Sequence, residues 1–208
     1  MPYLYGAAVE AHRDGIPMMR PIVLEFPDDP ASATLERQYM LGSSLLVVPV
    51  LSEDGVADYY LPAGRWTHLL TGEVQTGGRW HRSQHDFLSM PLWVKAGSVL
   101  ALGQQDSRPD YEFTESTLFR VYDLADGVTA TCQVPNQKGE PGSLLKVTRK
   151  GQQIEAVLDG TASGNWQIQL VGVKSVTSVE GGAAQSDPLG IVLASTNPTI
   201  RHISLKLS

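Results

Sequence analysis

Beyond Gly42 this chain is written almost entirely in short apolar runs of strand length, broken at close intervals by Gly, Pro and Asp. That rhythm constrains it more than any other feature, because runs this short with turns this frequent suit antiparallel β structure. Residues 45–51 read as a buried strand. Residues 58–61 and 65–69 flank Pro62-Ala63-Gly64, which predicts a hairpin. Residues 87–88 and 91–94 lead into 95–100. Residues 41–103 are therefore expected to form one small antiparallel domain, a proximal β-sandwich. The polar stretch 104–110, with Pro109, reads as a linker. Further strands are expected at 118–124, 128–134, 144–149, 153–158, 166–171, 176–179, 191–194 and 200–207. Turn signals fall at Asp126-Gly127, Lys150-Gly151, Asp159-Gly160 and Gly181-Gly182. This spacing predicts a second, distal β-sandwich over 104–208.

The first forty residues have another character. Leu4, Ala7, Ala8 and Ala11 recur at helical spacing over 3–13, and Gly15 suits the position just past a helix end. Residues 16–24 are an apolar run of strand length, but Pro17 and Pro21 exclude a long regular strand because each lacks a backbone donor. Asp29 and Pro30 suit the cap and first turn of a helix ending near Met40. A helix–strand–helix piece cannot close a core alone. Its strand needs parallel neighbours, and helices must cover both faces of that sheet. The sequence is therefore expected to be a fragment of a larger protein, with Met1 not a natural start.

Composition removes several partners. The formal net charge is −6, and no Lys/Arg run could match a phosphate backbone or an anionic membrane surface. Apolar runs fall far short of the roughly 20 residues of a membrane helix. No basic segment precedes an apolar one, so no signal peptide is expected. Cys132 is the sole cysteine, which excludes an intrachain disulfide and a Cys-based zinc site and suits a cytoplasmic location.

Several motifs occur in fixed order. Pro2-Tyr3-Leu4-Tyr5, Glu10-Ala11-His12, Gly15 to Pro21 and Glu25-Phe26-Pro27-Asp28-Asp29 come first. Gln38 to Val50, Tyr60 to Trp66 and Pro91 to Ser98 follow. Together they resemble the C-terminal portion of glycoside hydrolase family 31 α-glycosidases. Strong matches cover about the first half of the chain. Val121 to Gly127 looks most like the bacterial α-xylosidases. The resemblance implies a mainly β fragment: residues 1–40 as the last segment of a catalytic (β/α)₈ barrel, 41–103 as a proximal and 104–208 as a distal β-sandwich. It implies a parent that hydrolyses α-linked xylosides or glucosides with retention, without metal or organic cofactor. Such chemistry needs two carboxyl groups about 5–5.5 Å apart. In the family both are aspartates on earlier barrel strands, in motifs such as Asp-Phe-Gly-Glu, and no such motif occurs here. No catalytic, substrate-binding or metal residue is carried over. The segment alone is expected to be inactive. Its expected partners are the rest of the barrel, the α-linked oligosaccharide or glycoside substrate of the parent, and further copies through oligomer contacts.

Individual residues support sharper and plainer readings. Glu25, Asp28 and Asp29 follow the presumed last barrel strand, where active sites sit. Cap, turn and Arg20-pairing roles explain them more simply. His81 and His85 with Asp86 have metal-ligand spacing on a helix, but their surroundings read as loop and strand, which favours a surface pair. Trp66, Trp80, Trp93 and Trp166 could stack on sugars, although buried Trp is commoner. Trp80, beside Gly77-Gly78, is the best exposed candidate. Ser43 and Ser44 follow Gly42 without the Gly-x-Ser-x-Gly elbow of a nucleophile. Two rivals to the enzyme-fragment reading follow. A stand-alone carbohydrate-binding module would show an exposed aromatic platform. A purely structural or oligomerisation domain would show a large apolar patch on 104–208.

Overall fold

A computed structural model describes residues 1–105, 107–160 and 166–208; Asp106 of the expected linker lies outside them. The chain forms two compact units, one of residues 16–96 and one that joins 1–15 to 97–208.

Helix α1, Pro2–Asp14, begins with proline in its first turn and ends at Gly15, whose backbone is left-handed (φ 72°) and whose N–H returns to the Ala11 carbonyl. Past it lie β1 (Met19–Arg20), a single helical turn α2 (Ile22–Glu25) and a 3₁₀ turn, Pro30–Thr34. The helix expected to run on to Met40 is absent. Residues 39–41 form β2 (Tyr39–Leu41) instead, paired between β1 and β3 (Leu45–Val47). The side chain of Gln38 fixes the change. Its Nε2 donates to the Tyr60 carbonyl at 2.7 Å, and its Oε1 accepts the Tyr60 N–H at 2.8 Å. A helical backbone at 38 would forfeit both the amide pair and the strand that follows.

The remaining strands of 16–96 are β4 (Val56–Leu61), β5 (Arg65–His68), β6 (Val74–Thr76), β7 (Arg79–Gln84) and β8 (Leu92–Lys95). They build an antiparallel six-stranded sheet, β1-β2-β3-β8-β5-β6, and a separate ribbon, β4-β7. The hairpin expected at 62–64 does not form. β4 pairs with β7, whereas β5 pairs with β8 and β6. Pro62–Gly64 is a corner that carries the chain from ribbon to sheet. The reason is burial: Tyr59, Leu61 and Trp66 belong to one core with Met40, Leu46 and Trp93. Alternation then turns Ala57, Tyr59 and Leu61 inward and leaves Asp58 and Tyr60 on the other ribbon face.

In the second unit the strands are β9 (Val99–Gly103), β10 (Thr117–Tyr122), β11 (Thr129–Pro135), β12 (Pro141–Lys150) and β13 (Gln153–Gly160). They continue as β14 (Gln167–Val171), β15 (Val176–Glu180), β16 (Gly182–Asp187), β17 (Gly190–Ser195) and β18 (His202–Leu207). Two five-stranded sheets, β16-β17-β14-β10-β9 and β11-β12-β13-β18-β15, share one core. Phe119, Ile168 and Leu193 from the first sheet meet Leu145, Ala156 and Ile203 from the second, all 0% exposed. The pairings are antiparallel except that β10 and β14 run parallel, and the sandwich takes in β9, which precedes the expected boundary at 104. Helix α1 packs on β9 and β11, where Tyr5 lies 5.4 Å from the Phe113 ring and donates its hydroxyl to the Gln137 carbonyl.

Two predictions follow from this packing. Gln38→Ala removes both partners of the Tyr60 peptide; a stability loss of about 2 kcal/mol is expected in the urea midpoint, with strand circular dichroism retained. Burial pushes the Cys132 thiol up to about 12. Thiolate is the reactive form, so the native chain should resist maleimide at mildly alkaline pH and label only on unfolding. The sign is that of a raised acid: this packing stabilises fully below the ordinary thiol range, and the contribution is lost as pH climbs toward 12.

Candidate functional site

Two of the three carboxylates that follow β1, Glu25 and Asp29, do structural work. Arg20, on β1 and 3% exposed, donates Nη1 to Glu25 Oε1 at 2.6 Å and Nε to the Pro17 carbonyl at 2.9 Å. Glu25 closes α2, so this pair ties the strand to the turn. Asp29 Oδ1 accepts the Ala31 N–H at 3.0 Å, the expected cap, and lies 3.4 Å from the Tyr60 hydroxyl. Asp28 is exposed.

His81 and His85 do not converge on a common point. The His81 ring stacks on Tyr59 from within β7, at 5.6 Å and 16°. His85 Nε2 bonds Ser83 Oγ at 2.7 Å, and its Nδ1 bonds Ser89 Oγ at 3.2 Å. Asp86 caps its own turn through the Leu88 N–H and the Ser89 hydroxyl. Both imidazoles are half-buried, and desolvation lowers the pKa of each. Ser43 Oγ lies 3.5 Å from Ser44 Oγ.

Three tryptophans are core residues. Trp66 is 0% exposed and donates Nε1 to the Pro62 carbonyl at 2.8 Å. Trp93 meets the edge of His68, and Trp166 donates to the Ile200 carbonyl at 2.9 Å. Trp80 differs, being 61% exposed. It stands opposite Tyr60 across the β4–β7 ribbon, with ring centroids 5.8 Å apart and planes at 62°. On the adjoining rung of the same face Arg82 clamps Asp58 with Nε–Oδ1 and Nη2–Oδ2 contacts, both 2.7 Å. The guanidinium holds Asp58 below the usual carboxylate range, and Asp58 raises Arg82 in turn. A cleft of about 310 Å³ runs beside this rung, lined by Arg37, Ser52, Asp54, Asp58 and Arg82 among others. The Ser52 hydroxyl and the Val56 N–H hold Asp54 low as well. Sequence reasoning named Trp80 and missed Tyr60, Asp58 and Arg82. The available signal was the period of two, which sets 58 and 60 on one face of their strand and 80 and 82 on one face of its partner.

Comparison with known proteins agrees with this architecture. The model of the glycosyl hydrolase family 31 C-terminal domain matches residues 15–100, and that of the C-terminal domain of α-xylosidase YicI matches 112–207. The chain belongs to glycoside hydrolase family 31, of which it is a C-terminal portion. Within the family it is similar to α-xylosidases. It is 34% identical over 158 residues to α-xylosidase XylQ of Lactiplantibacillus pentosus, covering 74% of this chain and 21% of that one. It is 38% identical over 117 residues to an Emericella nidulans α-xylosidase, covering 52% and 15%. The chain thus spans about a fifth or less of these curated relatives. In fold it matches a family 31 dextranase of Flavobacterium johnsoniae with a TM-score of 0.84 at 18% identity, over 99% of this chain and 31% of that one. The cycloalternan-forming enzyme of Listeria monocytogenes gives 0.85 at 22%, over 99% and 22%.

The Arg20–Glu25 pair generates a prediction. Glu25→Ala leaves a nearly fully buried guanidinium without its carboxylate. A loss of about 3 kcal/mol is expected by denaturant titration, with Glu25→Gln falling between wild type and Ala.

Proposed function

We propose that this chain is the C-terminal supporting part of a retaining α-glycoside hydrolase acting on α-linked xylosides or glucosides, and that the catalytic aspartates lie upstream. The observation that carries the reading is where water-exposed apolar side chains fall. Of the twelve large ones exposed among the described residues, ten lie in 16–96 and two, Met1 and Val128, in the other unit. Met19, Val23 and Leu24 make one set, beside the buried Arg20. Phe87 and Leu88, at 108% and 91%, make another on the loop after β7. Each such side chain gains about 2 kcal/mol when covered, so a further folded body is the natural cover. Residues 1–40 are then the closing segment of the catalytic barrel, 41–103 the proximal support and 104–208 the distal one. The names of the similar α-xylosidases and α-glucosidases support this substrate class.

The near absence of exposed large apolar side chains among the described residues of 104–208 counts against a purely oligomeric role for that segment. Copies of the parent would then meet through other surfaces. The single cysteine supports placing the enzyme in the cytoplasm.

Two measurements test the proposal. On p-nitrophenyl α-xyloside and α-glucoside the full parent should turn over and this chain alone should not; turnover by the chain alone overturns the supporting role. In the parent, replacing Phe87 and Leu88 together by Asp should lower Tm by several degrees while the separate chain keeps its own Tm. An unchanged parent Tm removes that loop from the docking surface.

A further inference from the structure

We infer that the outer face of the β4–β7 ribbon binds carbohydrate, with Trp80 as the stacking ring and the Asp58–Arg82 pair as the hydroxyl-binding group. The chemical class rests on the face itself. The α-linked identity of the ligand rests on the functional reading above.

Strand alternation puts Tyr60–Trp80 and Asp58–Arg82 on adjacent rungs of one face. Same-face neighbours along a strand are about 6.5 Å apart, a spacing that lets one sugar ring lie on the indole and turn its hydroxyls to the next rung. Tyr60 meets the indole edge-on, with ring centroids 5.8 Å apart, and so supports one side of the exposed ring. Two of the guanidinium N–H groups of Arg82 hold Asp58. The remaining donors of the fork, with the outer lone pairs of the carboxylate, form a donor–acceptor pair suited to vicinal hydroxyls. The adjoining cleft adds Arg37, Ser52 and Asp54 to this polar margin, and its volume of about 310 Å³ is at the small end of ligand pockets.

The same pair argues against a protein partner on this face. Covering Asp58–Arg82 with an apolar surface would desolvate both charges, at a cost their mutual attraction often fails to offset. The 16–24 tract and the Phe87–Leu88 loop present adjacent exposed apolar side chains, as docking surfaces do. The ribbon face mixes an aromatic platform with fixed charges, as sugar sites do. Nucleic acid would meet Asp54 and Asp58 at the cleft, on a chain of net charge −6.

The test is affinity electrophoresis of the full-length enzyme through native gels containing soluble starch, dextran or barley β-glucan. Retardation is expected with an α-glucan and not with the β-glucan. Trp80→Ala should abolish it, Arg82→Ala should weaken it roughly tenfold, and Trp80→Phe should retain part. All three should melt with the wild-type enzyme, because Trp80 and Arg82 lie outside the core. The inference fails if wild type is not retarded, if Trp80→Ala migrates as wild type does, or if only β-glucan retards. Turnover of the p-nitrophenyl α-glycosides by the same wild-type preparation tests the enzyme assignment separately, since retardation needs no catalysis.

Discussion

The arrangement of residues 16–96 depends on the corner at Trp66. The indole is fully buried, and its N–H holds the Pro62 carbonyl at the turn where the chain leaves the ribbon for the sheet. Gly77 and Gly78 close the corner from the other side, donating to the Gly64 and Leu61 carbonyls at 2.7 Å. A side chain at Gly77 would put its Cβ 1.8 Å from the Pro62 oxygen, so the position admits only glycine without backbone movement. With the corner fixed, the ribbon lies with Ala57, Tyr59 and Leu61 toward the core. Tyr60, Trp80, Asp58 and Arg82 then occupy the outer face. A surface that can recognise a ligand is in this way the reverse side of a packing decision.

The acidic side chains show the same economy. Glu25 neutralises a buried arginine, Asp29 and Asp86 cap turns, and the Asp126 carboxylate accepts the Gly151 N–H at 2.6 Å. Asp187 accepts from Gln169 and from the Leu189 N–H. Carboxylates engaged in this manner hold loops in place.

Much of the β organisation was legible from apolar runs and turn residues, because those encode burial and chain reversal locally. The strands at 117–122, 153–160 and 190–195 lie close to where periodicity puts them. β16 escaped notice because Gly182-Ala183-Ala184-Gln185-Ser186-Asp187 has almost no β-forming side chain; it is held as an edge by its partner β17. Pairing was less legible than existence. Nothing within residues 58–69 separates a hairpin from a corner, since the deciding contacts come from Gln38, Gly77 and Trp93. The parallel match of β10 with β14 likewise joins strands far apart in sequence. At the candidate site the aromatic was visible as a residue beside two glycines. Its neighbours were not, because Asp58 and Arg82 become a pair only once β4 and β7 are known to adjoin.

The packing of α1 has a kinetic consequence. Tyr5 bonds to Gln137, 132 residues later, and the helix rests on strands that follow a complete unit, residues 16–96, in the sequence. On a ribosome that helix emerges well before β9 and β11, and a lone thirteen-residue helix is marginal in water. Residues 16–96 can gather their own contacts first, whereas the other unit must wait for both of its separated pieces. Its closure is a high-contact-order step, and until then α1 lacks the two strands it packs on.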